Sequence, residues 1–228
     1  MSRRLVLGFD TATPVTTVAL VEAVIDTEGT AGGVWRSPAS AEASHRDPRR
    51  HGEVLPTLIA DVLQAAGRRI DEVTDVAVGI GPGAYTGLRV GVATAEALGL
   101  ALGVPVHGVA TVDAIAYETG LQRPFVVVTD ARRREVYVAR YADHLTRQGD
   151  PQVVKPEDVT SEVVVVGTVD TPPLADVDID RVDGPTGSGV CMVAIDRLVG
   201  GRDLDPVRPM YLRRPDVTPQ TGSKSVLS

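Results

Sequence analysis

The sequence predicts an α/β protein built as two lobes, each a sheet whose parallel strands are covered by helices. Three observations carry this. Apolar strand-like runs alternate with stretches of helical periodicity, which implies right-handed crossovers between parallel strands. The second half opens as the first does, with an apolar strand ending at an aspartate (Asp10, then Asp130), a short turn and a second strand, an echo that suggests a duplicated βββαβα lobe. The length, 228 residues, fits one large domain or two small ones.

Taken in order, residues 4–9 (RLVLGF) and 15–21 (VTTVALV) read as a strand, a turn at Pro14 and a second strand. Residues 26–50 mix Gly, Ser, Ala, Pro and charge around one edge strand at 34–36, so loop is expected over most of them. From Val54 the positions Leu55, Leu58, Ile59, Val62 and Leu63 recur at helical spacing up to Gly67, with Pro56 in a first turn whose amides lack helical partners. Residues 75–80 (DVAVGI) give a buried strand, a glycine-rich turn follows, a helix runs over 88–102 and a strand over 104–109. The second half has strands at 125–129 and in VYVARY, another at 163–167, a loop at Pro172 and Pro173, and a helix over 188–199 that completes a thinner lobe. The expected domains are residues 1–108 and 109–214, with a disordered tail at 215–228.

Composition narrows the function classes. With 43% hydrophobic and 23% charged residues the chain is not disordered throughout, and its net charge of −7 gives no overall field toward nucleic-acid phosphates. An RNA role therefore needs a local patch or a basic partner. Only Lys155 and Lys224 are lysines, which hints at a GC-rich genome. The single cysteine, Cys191, reads as a small buried hydrophobe; it makes no internal disulfide and no zinc cluster, which favours a reducing compartment. The N-terminal apolar run meets Asp10 too soon for a signal peptide, and the apolar region at 87–104 is broken by Arg89 and Glu96, so the expected location is the cytoplasm.

Few segments could carry chemistry. Asp10, Thr11 and Thr13 sit where a strand turns back, and can either orient a metal-bound water and contact phosphate or cap a β-turn. Gly81 and Gly83, in GIGPGAYTG, lie between a strand and a helix, where amides can receive an anion or simply make a tight turn. No GK[ST] follows, and Pro82 interrupts a dinucleotide fingerprint. Along the next helix Gly87, Gly91, Ala95, Gly99 and Gly103 recur every fourth residue; helical glycine costs about 1 kcal/mol, so a close backbone contact must offset it, either inside the lobe or with a partner helix. His45, His51, His107 and His144 are scattered without ligand spacing, Arg132, Arg133 and Arg134 read as a solvated turn, and there is no GxSxG or HExxH.

Together, DTAT, HGEVLP, GPGAYTGLRVGVATAEALGLALGVPVHGVATVDA, DARRREVYVARY and PMYLRR resemble the TsaB (YeaZ) family of bacterial tRNA threonylcarbamoyladenosine biosynthesis proteins over most of residues 4–214. The resemblance implies a duplicated actin-like ATPase (ASKHA, ribonuclease H-like) fold. It also implies a non-catalytic partner of TsaD, which transfers threonylcarbamoyl to the adenosine beside the anticodon of ANN-decoding tRNAs. TsaE, an ATPase, joins the pair, TsaC supplies the adenylate, and tRNA is held mainly through TsaD.

In the catalytic relative two histidines one helical turn apart bind the metal; the matching positions here are Thr111 and Ile115, so the resemblance implies no catalytic and no metal residues. It leaves room for weak ATP or ADP affinity at the DTAT turn, with Gly187 and Gly189 the one glycine pair that could hold an adenosine. It places the partner surface on the two helices of the first lobe, hence Leu55, Leu58, Gly87, Leu88, Gly91, Val92, Ala95 and Gly99, a surface that pairs with itself as a homodimer when TsaD is absent. Two rival readings stay open: an autonomous actin-like small-molecule kinase, with Asp130 as its catalytic aspartate, and a stand-alone homodimeric binding protein.

Overall fold

The opening apolar run is strand β1 (Ser2–Asp10), paired antiparallel with β2 (Val15–Ile25) from Ser2↔Ile25 to Asp10↔Thr17. The computed structural model describes residues 2–25, 34–36, 40–159, 163–174 and 178–213; the expected tail at 215–228 lies outside them. β3 (Val34–Arg36) forms at the expected edge of β2. A strand that composition reads as loop, β4 (Ala41–Arg46), also pairs with β2. Its sequence AEASHR has only two small apolar residues, Ala41 and Ala43, packed on the core, so its strand character comes from the ladder and not from β-branched side chains.

Helix α1 (His51–Ala65) begins one turn before the apolar periodicity does and turns Leu55, Leu58, Ile59, Val62 and Leu63 inward. Pro56 consequently lies in its second turn and not the first, on the exposed face where water can reach the carbonyl it leaves unbonded. β5 (Asp75–Gly79), α2 (Tyr85–Leu102) and β6 (Val106–Val109) follow, with β1, β5 and β6 parallel. α3 (Thr111–Thr119) is a helix the sequence pattern does not announce, being short and Ala-rich. The second half supplies β7 (Phe125–Asp130), β8 (Val136–Asp143), β9 (Thr146–Arg147), β10 (Gln152–Val154), β11 (Val164–Thr168), β12 (Ile179–Val182) and α4 (Gly187–Val199).

The two sheets share their topology, apart from which of two strands beside the second one ends the path. The first sheet runs β3-β2-β1-β5-β6 with β4 also on β2, and the second β10-β8-β7-β11-β12 with β9 also on β8, so in each the second strand carries two further strands and the last two follow the first. Each keeps its first three strands antiparallel and its last two parallel to the first.

Period-two alternation along β1 explains the layers. Leu5, Leu7 and Phe9 join the core under α1 and α2, while Val6 faces the opposite side with Val190, Cys191, Ala194 and Ile195 of α4. The helix expected to complete the second lobe thus packs on the first sheet, and its packing crosses the expected 108/109 boundary. The close approach is steric: a Cβ at Gly8 would lie 2.4 Å from Cys191 Sγ. Burial also pushes the Cys191 thiol up, away from reactive thiolate. α3 covers one face of the second sheet through Ile115, Phe125 and Tyr141; on the other, Val126, Val128, Val136, Val138 and Val165 pack with Val159 and Leu174. Among the described residues no helix is long and apolar enough to cross a membrane.

Candidate functional site: the cleft between the two sheets

The β1–β2 turn, the turn before α2, the β7–β8 turn, the segment after β11 and the final described segment meet around an open cleft of about 570 Å3. Thr13 and Gly83 line it on the first-lobe side; Thr129, Asp130, Arg132 and Arg133 line it on the second. Residues 210–213 line it as well. Met210 N donates to Ile80 O at 2.8 Å and its side chain touches the cores of both lobes, which gives the PMYLR segment its structural place.

Asp10 and Thr11 are fully buried and face away from solvent. Asp10 Oδ1 accepts from Ala12 N at 2.7 Å, and its Oδ2 accepts from Thr111 Oγ1 at 2.6 Å. Thr111 Oγ1 also accepts from Gly81 N at 3.0 Å, and Thr11 Oγ1 donates to Gly87 O at 2.7 Å. The expected phosphate role of Asp10, Thr11 and Gly81 is therefore corrected: their polar atoms staple the β1–β2 turn to α2 and α3. Gly81 adopts φ +102°, open only to glycine, and Gly83 is needed because a Cβ there would sit 2.2 Å from Ala12 O.

Burial pushes Asp10 up to about 6, against the opposing pull of its hydrogen bonds. The folded state therefore holds this proton more tightly than the unfolded chain does. Its contribution to stability is full below the ordinary value of 3.8 and is lost as pH rises through about 6. The expected difference between wild type and Asp10→Asn is a stability gap that changes by on the order of 2–3 kcal/mol between pH 4 and 7, read from urea midpoints at each pH. A gap independent of pH contradicts the buried carboxyl.

The turn at 132–134 holds three consecutive arginines at φ +61°, +54° and +62°, a costly run for side-chain-bearing residues. Asp130 fixes it: Oδ1 accepts from Arg132 N at 2.7 Å, and Oδ2 pairs with Arg132 Nη1 at 3.3 Å. The aspartate expected of a kinase base is thus a turn cap beside a guanidinium.

The glycine stripe of α2 faces inward. A Cβ at Gly87 would meet Thr11 O at 2.1 Å, at Gly91 Thr11 Oγ1 at 2.5 Å, and at Gly99 Val106 Cγ2 at 2.3 Å. Leu55, Leu58, Leu88, Val92 and Ala95 are likewise buried within the lobe. The expectation that these side chains form a partner surface is corrected: small residues bring α2 onto β1 and β6. What α1 and α2 leave exposed is the opposite face, with Pro56, Ala60, Ala93, Ala97 and Leu100, the last 87% exposed.

A family model described as TsaD, tRNA N6-adenosine threonylcarbamoyltransferase, matches residues 39–166, more than half of the chain. The chain belongs to the TsaD family. The solved structure of YeaZ from Pseudomonas aeruginosa is similar to this TsaD-family member with TM-score 0.70 and 25% identity, over 92% of this chain and 100% of that one. TsaB of Escherichia coli, named a tRNA threonylcarbamoyladenosine biosynthesis protein, is 30% identical over 60% of this chain and 54% of its own length. An uncharacterized Mycobacterium leprae protein is 38% identical over 96% of this chain and 57% of its own, so the chain spans little more than half of these two relatives.

The metal that the catalytic relative implies does not fit the residues of this TsaD-family chain. Thr111 has its hydroxyl spent as donor to Asp10 and acceptor from Gly81, and Ile115 is a hydrocarbon of the second-lobe core. Neither offers the imidazole nitrogen such a site uses. The four histidines do not converge: His51 Nδ1 meets Thr16 Oγ1 at 2.7 Å, His107 Nε2 meets Asp75 Oδ1 at 2.9 Å, His144 meets Gln122, and His45 lies on β4. Burial lowers the pKa of His51, and among the described residues no group of three His, Cys, Asp or Glu side chains could hold a metal ion.

Gly187 and Gly189 do not form an adenosine pocket. Gly187 packs on β2, where a Cβ would lie 2.4 Å from Ala19 N, and its amide donates to Thr17 Oγ1 and Glu42 Oε1, each at 2.8 Å. A Cβ at Gly189 would lie 3.0 Å from Ala114 O, and its amide is capped by Thr186. Glu42 from β4 thus fills the start of α4 with an internal carboxylate. From the same strand Arg46 Nη1 pairs with Asp170 at 2.8 Å across the lobes. Neither residue is singled out by sequence, because their partners are distant in the chain and β4 itself lacks a strand pattern.

Proposed function

We propose that this chain is a non-catalytic scaffold subunit in tRNA threonylcarbamoyladenosine biosynthesis, binding and supporting TsaD in an assembly that TsaE joins and TsaC supplies. The observation that carries the reading is the state of positions 111 and 115. One side chain there is consumed in an internal hydrogen-bond network and the other is core hydrocarbon, so these two positions offer no donor to a metal. Its kinship with TsaD and its likeness to YeaZ support a role beside the catalytic protein. The autonomous-kinase reading loses its base, since Asp130 caps its own turn and pairs with Arg132.

The partner surface in this reading is the outer face of α1 and α2. Leu100 is 87% exposed on α2, where Ala93 and Ala97 are exposed too, and α1 exposes Pro56 and Ala60. An exposed leucine one turn from Ala97 and Glu96 suits helix-on-helix docking, with TsaD or, in its absence, a second copy. The test is Leu100→Glu. Its stability is expected within about 0.5 kcal/mol of wild type, as for a surface change. Its affinity for TsaD, measured by calorimetry, is expected to fall at least about tenfold. Unchanged affinity would remove this surface from the account.

A further inference from the structure

We propose that strand β4 is a releasable clasp on the segment that carries the chain from the second sheet back to the first, and that its hold sets how far the cleft opens. This role lies beyond the supporting one and does not depend on it. The segment runs from the end of β12 at Val182 to the start of α4 at Gly187; β12 belongs to the second sheet, and α4 packs on the first. Hinges are a few residues at element ends that absorb a backbone rotation. Gly184 lies inside this one at φ +139°, a conformation that side-chain-bearing residues rarely adopt.

β4 grips this segment at both ends. Strand alternation puts Ala41 and Ala43 on the first-lobe core and Glu42 and Arg46 on the opposite face. Glu42 Oε1 accepts from Gly187 N at 2.8 Å and Ser188 N at 3.3 Å, and its Oε2 accepts from Ser188 Oγ at 2.8 Å. Arg46 Nη2 donates to Asp183 O at 3.4 Å, while its Nη1 donates to Asp170 Oδ2 at 2.8 Å. Asp170 lines the cleft, so this arginine ties the rim of the second lobe to a strand of the first.

The grip is built to let go. β4 carries no large apolar side chain and is held by its ladder to β2 and two alanine methyls, the kind of element that opens well before the global fold does. The Arg46 and Asp170 side chains are 43% and 33% exposed, so their ion pair adds little to global stability and is screened by salt. The other ionic tie between the halves, Asp113 with Arg147 and Arg197, is buried and stays made when the clasp is released. Losing β4's hold thus frees the Gly184 segment to turn and the cleft rim to move while both cores remain packed.

The test places spin labels at Asp71→Cys and Gln152→Cys, exposed positions of the first and second lobes, while the buried Cys191 stays unlabelled. In about 0.01 M salt the labelled protein is expected to give one narrow distance distribution, and Arg46→Gln to add a population displaced by more than about 2 Å. In about 1 M salt the unaltered clasp is expected to move toward the variant's distribution, and Arg46→Gln to change no further. Amide exchange at Gly187 and Ser188 is expected to rise at least tenfold in Arg46→Gln, although Arg46 bonds neither amide. Glu42→Gln/Arg46→Gln is expected to open no further than Arg46→Gln alone, since either anchor releases the same clasp. An unchanged distribution in Arg46→Gln, a salt response that this variant shares, or exchange at Gly187 and Ser188 that responds only to Glu42→Gln overturns the proposal. Should Arg46→Gln lower the thermal melt, the salt response of the unaltered clasp decides by itself: no displacement at high salt overturns it.

Discussion

A Gly91→Leu protein is expected to lose its cooperative fold. Even a Cβ at this position would stand 2.5 Å from Thr11 Oγ1, itself donating to Gly87 O at 2.7 Å. Leucine must push α2 off β1, break that bond and strand the buried Thr11 hydroxyl. Overpacking costs about 1–3 kcal/mol and the orphaned group about 1–3 more, together a large part of the 5–15 kcal/mol that holds a typical domain. Urea unfolding reads this directly. A melt within about 1 kcal/mol of wild type would show that α2 has room on its inner face, and would return the glycine stripe to the partner surface.

Asp113→Ala is the second large effect. Asp113 is 5% exposed. It accepts from Arg147 Nη1 at 2.9 Å through both oxygens and from Tyr141 Oη at 2.7 Å, and it also pairs with Arg197. These partners come from β8, β9 and α4, so one carboxylate on α3 joins the second sheet to the helix that covers one face of the first. Burial first, and the Asp113 charge next, keep the Tyr141 hydroxyl protonated well above its ordinary range. Truncation leaves two poorly hydrated guanidiniums with Asp205 as their remaining anion, bonded to Arg197 at 2.7 Å and to Arg147 at 3.6 Å. The expected loss is about 3–5 kcal/mol, as for a broken buried ion pair. Asp113→Asn, which keeps the shape and one acceptor, is expected to lose less; equal losses would assign the effect to packing and not to charge.

Much of the architecture was legible because it is written in local pattern. The runs at β1, β5 and β7 are continuous and apolar, as strands buried on both faces must be, and the aspartate ending each half's first strand announced the repeat. β4 and α3 were not legible. One is a polar strand held by its neighbour's ladder, the other a short helix whose apolar residues serve two sheets at once.

At the site, spacing found the right segments and misjudged what they face. DTAT and the glycine stripe look alike in sequence whether they greet a ligand or each other, and here Thr11 and Gly87 meet. Glu42 and Arg46 gave no signal, because each matters through a partner distant along the chain.

In the scaffold role proposed above, this chain supports a modification that it does not itself perform. The direct measurement mixes it with TsaD, TsaE and TsaC, tRNA, threonine, bicarbonate and ATP, and counts modified adenosine with the chain present, absent and alone. The prediction is modification that requires the chain when TsaD is present and none from the chain by itself. Equal modification without it, or modification by the chain alone, contradicts the account.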